Sequence, residues 1–473
     1  MRKTFKVFLL LLLALIGFQS CEDMDDTIAV SNGLEVENFI WKGLNLYYLW
    51  KADVPDLADD RFANQKELDS YLSTYNDPFV LFDSLRVQES TDRFSILVDD
   101  YTVLENLFQG ITKNNGVDFG LRYKQGSTTE IFGWVRYIIP NSDASNKPIQ
   151  RGSIFYAVNG TALTTSNYQS LLSTDDYTVN LANYDNGAIT PNGQSVALTK
   201  TELTENPIFQ KQVITAGTHK IAYLVYNGFT ANFDGQLNSA FGEFTAAGAT
   251  DLVLDLRYNS GGSVQTAARL ASMITGQFNG QLFAKQQWNA AIQSYFEANN
   301  PGQLVNNFSN SIGSSTINSL NLSKVYILTT KSTASASELV INGLKPYIDV
   351  VQIGDVTTGK NVGSITLYDS PTFGRENRSS KHKYAMQPIV IKTINKDGFG
   401  DYQAGLQPTI PLIENLNDLS QLGNQQELLL SAAIQSITTG GRRIDQSASE
   451  QSRDFKDSKS LRRFGTDMYI ENK

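Results

Sequence analysis

The sequence predicts a multidomain protein of α/β and α+β class: a small helical N-terminal domain, a β-rich domain, and an α/β domain built on a mixed sheet. Three observations carry this. Apolar residues recur at helical spacing through Val36, Phe39, Ile40, Leu44, Tyr47 and Tyr48. From about Asp92 to Leu203 the pattern changes to short apolar runs punctuated by glycine and asparagine. From Lys220 onward, strand-like and helix-like segments alternate. With 473 residues the chain exceeds what one hydrophobic core can serve. Its 41% hydrophobic and 18% charged content is that of a folded globular protein.

The first twenty residues stand apart. Arg2, Lys3 and Lys6 precede the apolar run Val7–Phe18, too short to span a bilayer, so residues 1–20 read as a signal peptide. The single cysteine, Cys21, directly follows Gly17-Phe18-Gln19-Ser20, which resembles in part the site where a bacterial lipoprotein is cut and lipidated. Ser20 fits that pattern, and Phe18 and Gln19 depart from it. Cys21 is therefore the expected lipid anchor, and residues 21–32, with the acidic run Glu22-Asp23-Met24-Asp25-Asp26, the expected tether. One cysteine excludes an internal disulfide. The implied location is a bacterial cell envelope, anchored by lipid to the outer membrane on its periplasmic or surface side.

Residues 33–91 form the expected helical domain, whose aromatics, Trp41 and Trp50 among them, read as core. In 92–205 the strands are expected at Val117–Leu121, Ile131–Ile139, Ser153–Val158 and Tyr177–Leu181, with a short helix at Asn167–Leu172. In 206–438 the strands are Asp251–Leu256, Lys324–Thr330 and Val350–Ile353, and the helices Ser263–Thr275, stopped by Gly276, and Ser335–Leu344. Such alternation implies a sheet with parallel crossovers, whose sites lie past the carboxyl ends of its strands. Residues 439–473 are polar, with little apolar periodicity, and read as a tail.

Net charge narrows the function. With 39 basic and 48 acidic residues and no basic stripe, nucleic acid is a poor partner. The only histidines, His219 and His382, sit at a strand start and in a charged segment that looks solvent-facing. With Cys21 consumed by the anchor, no metal-ligand cluster and no cofactor are expected. A serine nucleophile here needs another base. Lysine is the alternative, because burial lowers its pKa from about 10.4 toward neutrality and frees it to accept a hydroxyl proton. Ser335 opens a helix after one strand, and Lys360 follows the next strand twenty-five positions on, so two strand ends of one sheet can bring them together.

Blander readings attach to the same residues. Ser335 and Glu338 have capping-box spacing. Gly354 to Lys360 nearly spells a phosphate loop, but Asn361 stands where Ser or Thr should bind magnesium, and Val362–Tyr368 looks like strand.

Two resemblances refine these readings. Gly116-Val117-Asp118-Phe119-Gly120-Leu121 resembles the carboxylate-binding loop and strand of a PDZ domain, and Arg151–Gly160 resembles that domain's later strand and turn, with Ser153 where aspartate is usual. This implies a PDZ-like domain in which Gly116, Val117, Phe119, Gly120 and Leu121 bind a peptide by strand addition and hold its terminal carboxylate. A small β-barrel without a ligand is the alternative. Thr333-Ala334-Ser335-Ala336-Ser337-Glu338, Gly354–Lys360 and Leu254–Gly262 together resemble the carboxyl-terminal processing, or tail-specific, proteases, and the likeness spans roughly Asp92–Ile413. It implies Ser335 as nucleophile, Lys360 as general base, and an oxyanion hole from backbone N–H groups of the Gly261–Gly262 pair and Ala336, such donors contributing about 2.7–4 kcal/mol each. Ser364 stands where the family often has a glutamine that steadies the lysine, Asn361 where glycine is usual, and Asp355 in place of a glutamate. The implied activity is an envelope serine endopeptidase acting on proteins or peptides through their free C-terminus. A catalytically silent peptide-binding lipoprotein is the rival.

Overall fold

The computed structural model describes residues 30–440, 453–461, 464–465 and 467–470. The expected signal peptide, Cys21 and most of the acidic tether lie outside the described residues. Among the described residues no helix is long and apolar enough to cross a membrane.

The N-terminal segment folds as helices Glu35–Tyr47, Gln65–Leu72 and Pro78–Ser84 joined by short 3-10 turns. Asn64 and Asp77 cap the second and third by accepting the N–H groups of Glu67 and Phe79. Phe39, Ile40, Leu44, Tyr48 and Leu81 are buried, as the periodicity requires, but they share their cluster with Leu367, Met386, Val390 and Ile391. The helices thus pack against strands more than three hundred residues away and have no separate core. The strand Ile96–Val98 continues this docking by pairing antiparallel with Ala385–Gln387.

The β-rich region is a sheet that runs Val117–Tyr123, Ile131–Ile138, Ile154–Val158, Asp176–Asp185, Ala188–Thr199, with the helix Tyr168–Ser173 beside it. Leu121, Ile131, Val135, Phe155 and Val179 form its core. The strand Val117–Tyr123 is not an open edge. Asp454–Asp457 pairs with it antiparallel, in the register Asp457↔Gly120 and Lys456↔Leu121.

The α/β region is a six-stranded sheet in the order Ile208–Ala216, His219–Tyr226, Asp251–Asp255, Lys324–Thr329, Asp349–Gly354, Ile410–Pro411. The first pair is antiparallel and the rest are parallel, so the sheet is mixed as expected. Alternation along its strands feeds two cores. Ala222, Leu224, Leu252, Leu254, Val325 and Ile327 pack under the helices Val264–Thr275 and Ala336–Leu344. Tyr223, Val225, Val253, Tyr326 and Leu328 face the helix Leu428–Thr439 and the β-rich residues Phe132, Trp134 and Tyr137. Ser263 caps Val264–Thr275 by accepting the Thr266 N–H, and Gly276, at φ +68°, ends it.

A second six-stranded sheet places Asp467–Tyr469 between Gly261–Ser263 and Val362–Ser364, parallel to both. The expectation of a polar tail from 439 onward is therefore corrected for 454–457 and 467–469. Phe455, Phe464, Met468 and Tyr469 are too far apart to give a periodic signal among so many polar neighbours. Yet Met468 is fully buried, and Phe464 and Tyr469 nearly so.

Candidate active site

Three loops at the carboxyl ends of parallel strands converge. The first follows Asp251–Asp255 and ends in the glycine pair. Asn259, fully buried, organises it: its side-chain amide donates to the Tyr226 carbonyl, and its Oδ1 accepts the Gly261 N–H at 2.9 Å. Its main-chain carbonyl accepts from the Ala334 N–H and the Ser337 hydroxyl, so it also holds the serine loop. One expectation changes as a result. The Gly261 N–H is already donated inside the loop, and Gly262 lies in the strand Gly261–Ser263, paired with Asp467–Tyr469. Gly262, at φ +134°, can only be glycine, since a Cβ there would lie 2.3 Å from the Phe229 carbonyl oxygen. Ala336 is the first residue of its helix, where an N–H has no intrahelical acceptor.

The second loop carries Ser335 at φ +63°, ψ −116°, a conformation costly for a residue with a Cβ. Such strain costs about 1–3 kcal/mol and persists only where the surroundings impose it. Here they do. Thr333 donates its hydroxyl to the Leu256 carbonyl, and its own carbonyl accepts the Thr358 N–H of the third loop.

The third loop carries Lys360. Gly359 at φ +83° passes so close to the Gln403 carbonyl that a Cβ would lie 2.2 Å from it. Arg93 donates to the Gly359 carbonyl at 2.8 Å. The Lys360 Nζ lies 4.5 Å from the centre of the Phe94 ring, which excludes water on that side and also attracts the ammonium form. Asn361 turns away, donating to the Gly400 carbonyl.

Glu338 joins the second and third loops. Its Oε2 accepts the N–H of Ser335 at 2.7 Å and that of Lys360 at 2.8 Å, and its Oε1 accepts the Gly359 N–H at 2.7 Å and the Thr357 hydroxyl. The main chains of Ser335 and Lys360 thus meet at one oxygen atom. The capping-box contact expected from spacing is present, but it is one of four. Burial pushes the Glu338 carboxyl above its usual range, against the opposing pull of these hydrogen bonds. Ser335, Glu338 and Lys360 are all fully buried.

The remaining expected residues fall elsewhere. Ser364 Oγ is directed at the Met468 carbonyl, 3.3 Å away. In the loop expected to bind a carboxylate, the N–H groups of Gly116 and Val117 are donated to the side chains of Asn114 and Asn115. Phe119 and Leu121 are core residues, and Gly120 lies against the Trp134 ring. His219 pairs with Asp251 at the opposite strand end. His382, expected at a solvent-facing position, is largely buried, paired with Asp369 and packed near the Phe39 ring.

Sequence reading missed a buried ion network beneath the site. Arg257 is bidentate to Glu427 at 2.7 and 3.0 Å and also bonds Asp255 and Glu414. Arg151, in the turn before the strand Ile154–Val158, reaches the same Glu414 at 2.7 Å. Burial alone would raise the Glu414 pKa, but Arg151, Arg257 and the Tyr258 hydroxyl override it and hold it down at about 2. Only Arg257 gave a signal, as a charge immediately after an apolar strand.

A strained serine at a strand-to-helix turn, a buried lysine loop and a glycine-pair loop thus meet in one place. Residues 220–377 match the model of peptidase family S41, and residues 35–96 match that of the peptidase S41 N-terminal domain. A C-terminal processing peptidase, chloroplastic, of Tetradesmus obliquus is 26% identical over 260 residues, covering 52% of this chain and 51% of that protein. A carboxyl-terminal-processing protease of Picosynechococcus is 25% identical over 245 residues with the same coverages. The chain thus spans about half the length of the curated relatives it matches. Among solved structures, an S41 protease structure from Bacteroides fragilis superposes with TM-score 0.65 at 25% identity over 85% of this chain and 98% of that one. The photosystem II D1 C-terminal processing protease, at 19% identity, TM-score 0.50 and the same coverages, shares the fold. These matches support peptidase family S41 and a serine-type peptidase.

Proposed function

We propose that the chain is an exported, lipid-anchored serine endopeptidase of the tail-specific type, working through a Ser335–Lys360 pair. The single observation that carries this reading is the shared Glu338 oxygen, which ties the two catalytic main chains together in a fully buried setting. Neutral Lys360 Nζ takes the hydroxyl proton as Ser335 Oγ attacks a peptide carbonyl carbon. N–H groups of Gly262 and Ala336 receive the oxyanion. Collapse breaks the C–N bond, and the leaving amine takes the proton back from Lys360. Water then repeats the sequence on the acyl-serine to release the new carboxyl end. The β-rich unit, read as PDZ-like, supplies the strand Val117–Tyr123 for antiparallel addition of a protein or peptide substrate near its free C-terminus. Cys21 carries the lipid, holding the enzyme at the outer membrane of a bacterial envelope.

An acylating active-site probe tests the chemistry: it should label the wild-type chain and not Ser335→Ala. Lys360→Arg should be inactive although it keeps the charge, since arginine does not release its proton. The wild-type rate should rise with pH as the base loses its proton. Labelling that persists in Ser335→Ala, or full activity in Lys360→Arg, overturns the mechanism. An unlabelled, correctly folded wild-type chain would point to the silent binder instead.

A further inference from the structure

The feature left unexplained by a protease site is what already lies across it. Asp454–Asp457 adds to the strand Val117–Tyr123 as a peptide would, and the Tyr123 N–H donates to the Arg453 carbonyl. From there the chain turns through Ser458–Leu461, passes Phe464 and Gly465, and enters the sheet between the glycine pair and Val362–Ser364, the strand that follows Lys360. One segment therefore runs from the sheet edge expected to receive peptides to the strand that carries the expected oxyanion donor.

Its contacts have the character of recognition. Arg122 pairs with Asp454 at 2.7 Å, and Arg136 pairs with Asp457 at 3.0 Å, with Ser332 of the serine loop donating to the same Asp457 oxygen. With the segment in place both arginines are buried, and Arg136 is also 3.7 Å from Asp118, so the two acids of the segment meet cations that are shielded from water by the segment itself. Between the two acids, Phe455 inserts its ring against Tyr123 and Tyr168 at 5.2 and 5.3 Å. Beyond them, Phe464 sits against Phe108, and Tyr469 packs on the same ring at 4.2 Å. A cavity of about 570 Å³ beside the serine loop is walled by Thr330 and Ser332 on one side and by Asp454, Asp457 and Phe464 on the other.

We propose that these elements form a polypeptide-binding track that reads an Asp-Phe-x-Asp sequence through Arg122, the Tyr123–Tyr168 pocket and Arg136, and that the chain's own residues 453–461 are its resident ligand. The inference rests on the protease reading for its consequence and not for the binding itself. An intramolecular ligand acts at an effective concentration in the millimolar range, so a peptide in trans must displace it. Substrates that present an acidic group to Arg136, as a side chain or a terminal carboxylate, compete best.

The test uses the full chain carrying Ser335→Ala, so that binding is read without turnover, and a fluorescein-labelled synthetic peptide with the sequence of residues 453–473. Asp457→Lys sets a cation against Arg136 and should release the resident segment; Phe455→Ser is the milder variant should the first fail to fold. The probe should bind the tail variant at least tenfold more tightly than the chain with the native tail, and adding Arg136→Gln to the variant should abolish that gain. In the Ser335-containing background, the tail variant should cleave a peptide substrate faster than wild type. Equal probe affinity for native-tail and variant chains, or a folded variant that binds no probe, overturns the proposal and makes the segment a structural strand alone. Failure of the Ser335–Lys360 reading would show separately, as absence of turnover in every chain with the binding difference intact.

Discussion

Replacing Glu338 by glutamine tests the geometry most directly, because one side chain holds both the Ser335 and the Lys360 loops. The carboxylate accepts four hydrogen bonds, two at each oxygen. Glutamine keeps one acceptor oxygen and turns an NH₂ toward the other two donors. The Thr357 hydroxyl can rotate to accept, but a main-chain N–H cannot. One buried N–H is orphaned, at about 1–3 kcal/mol, and two charge-assisted bonds become neutral, at about 1 kcal/mol each. Relief of the burial penalty on the carboxylate offsets part of this, leaving a loss on the order of 3 kcal/mol. At roughly 2–4 °C per kcal/mol, the melting temperature should fall by about 6 °C or more. Activity should suffer further, since a displacement of about 1 Å between Ser335 and Lys360 costs roughly a hundredfold. Differential scanning calorimetry and turnover of an internally quenched peptide measure the two effects. An unchanged melting temperature with unchanged kcat in Glu338→Gln would refute the idea that this carboxylate positions the pair. Because burial raises the Glu338 pKa, protonation should also convert an acceptor to a donor above the usual glutamate range. Activity should therefore fall on the acid side at a pH higher than ordinary carboxylates titrate.

Other expectations follow from the same contacts. Glu414 is held at about 2 against a free value of 4.5, so its contribution is fully present above pH 4.5 and is lost as pH falls toward 2; it is worth roughly 3 kcal/mol, and acid unfolding of Glu414→Gln followed by circular dichroism should lack that part of the transition. Gly262→Ala forces a Cβ against the Phe229 carbonyl at a positive φ, and should cost about 2–3 kcal/mol or more and most of the activity, measurable by urea titration and peptide turnover. Ser364→Ala removes only a long hydrogen bond to Met468, so stability should drop by about 1 kcal/mol or less while the pH profile of the rate stays in place; a moved profile would make Ser364 a partner of the lysine after all.

Much of the scaffold was legible because its signals are local. Gly276 marks the end of the helix Val264–Thr275, and the runs 251–255 and 324–329 are buried on both faces and so read as continuous apolar strands. Ser335 and Lys360 were placed at two strand ends by the strand–helix alternation, and the meaning of their separation came from the family resemblance. What remained hidden depends on partners far away in sequence. Asn259 is one polar residue in a loop until Tyr226 and Ala334 are brought beside it, and then it accepts the N–H of Gly261, one of the pair to which the family resemblance gave an oxyanion role. Glu338 has the spacing of a cap, and nothing local distinguishes it from a cap with three further donors. The isolated aromatics Phe455, Phe464 and Tyr469 carry no period, since the first packs on Tyr123 and Tyr168 of the β-rich region and the other two on Phe108.

The ion network beneath the site bears on how often the molecule is open. Arg151 lies in the turn before the strand Ile154–Val158 of the β-rich region, whereas Glu414 and Arg257 belong to the α/β region, and the link between them is buried. Rocking the β-rich sheet away would strand charges at a cost of about 3–5 kcal/mol, which corresponds to an open population on the order of one molecule in a few hundred to a few thousand. A hinged pair of jaws is therefore a poor picture of this protein. The buried Arg151–Glu414 link opposes separation of the two regions.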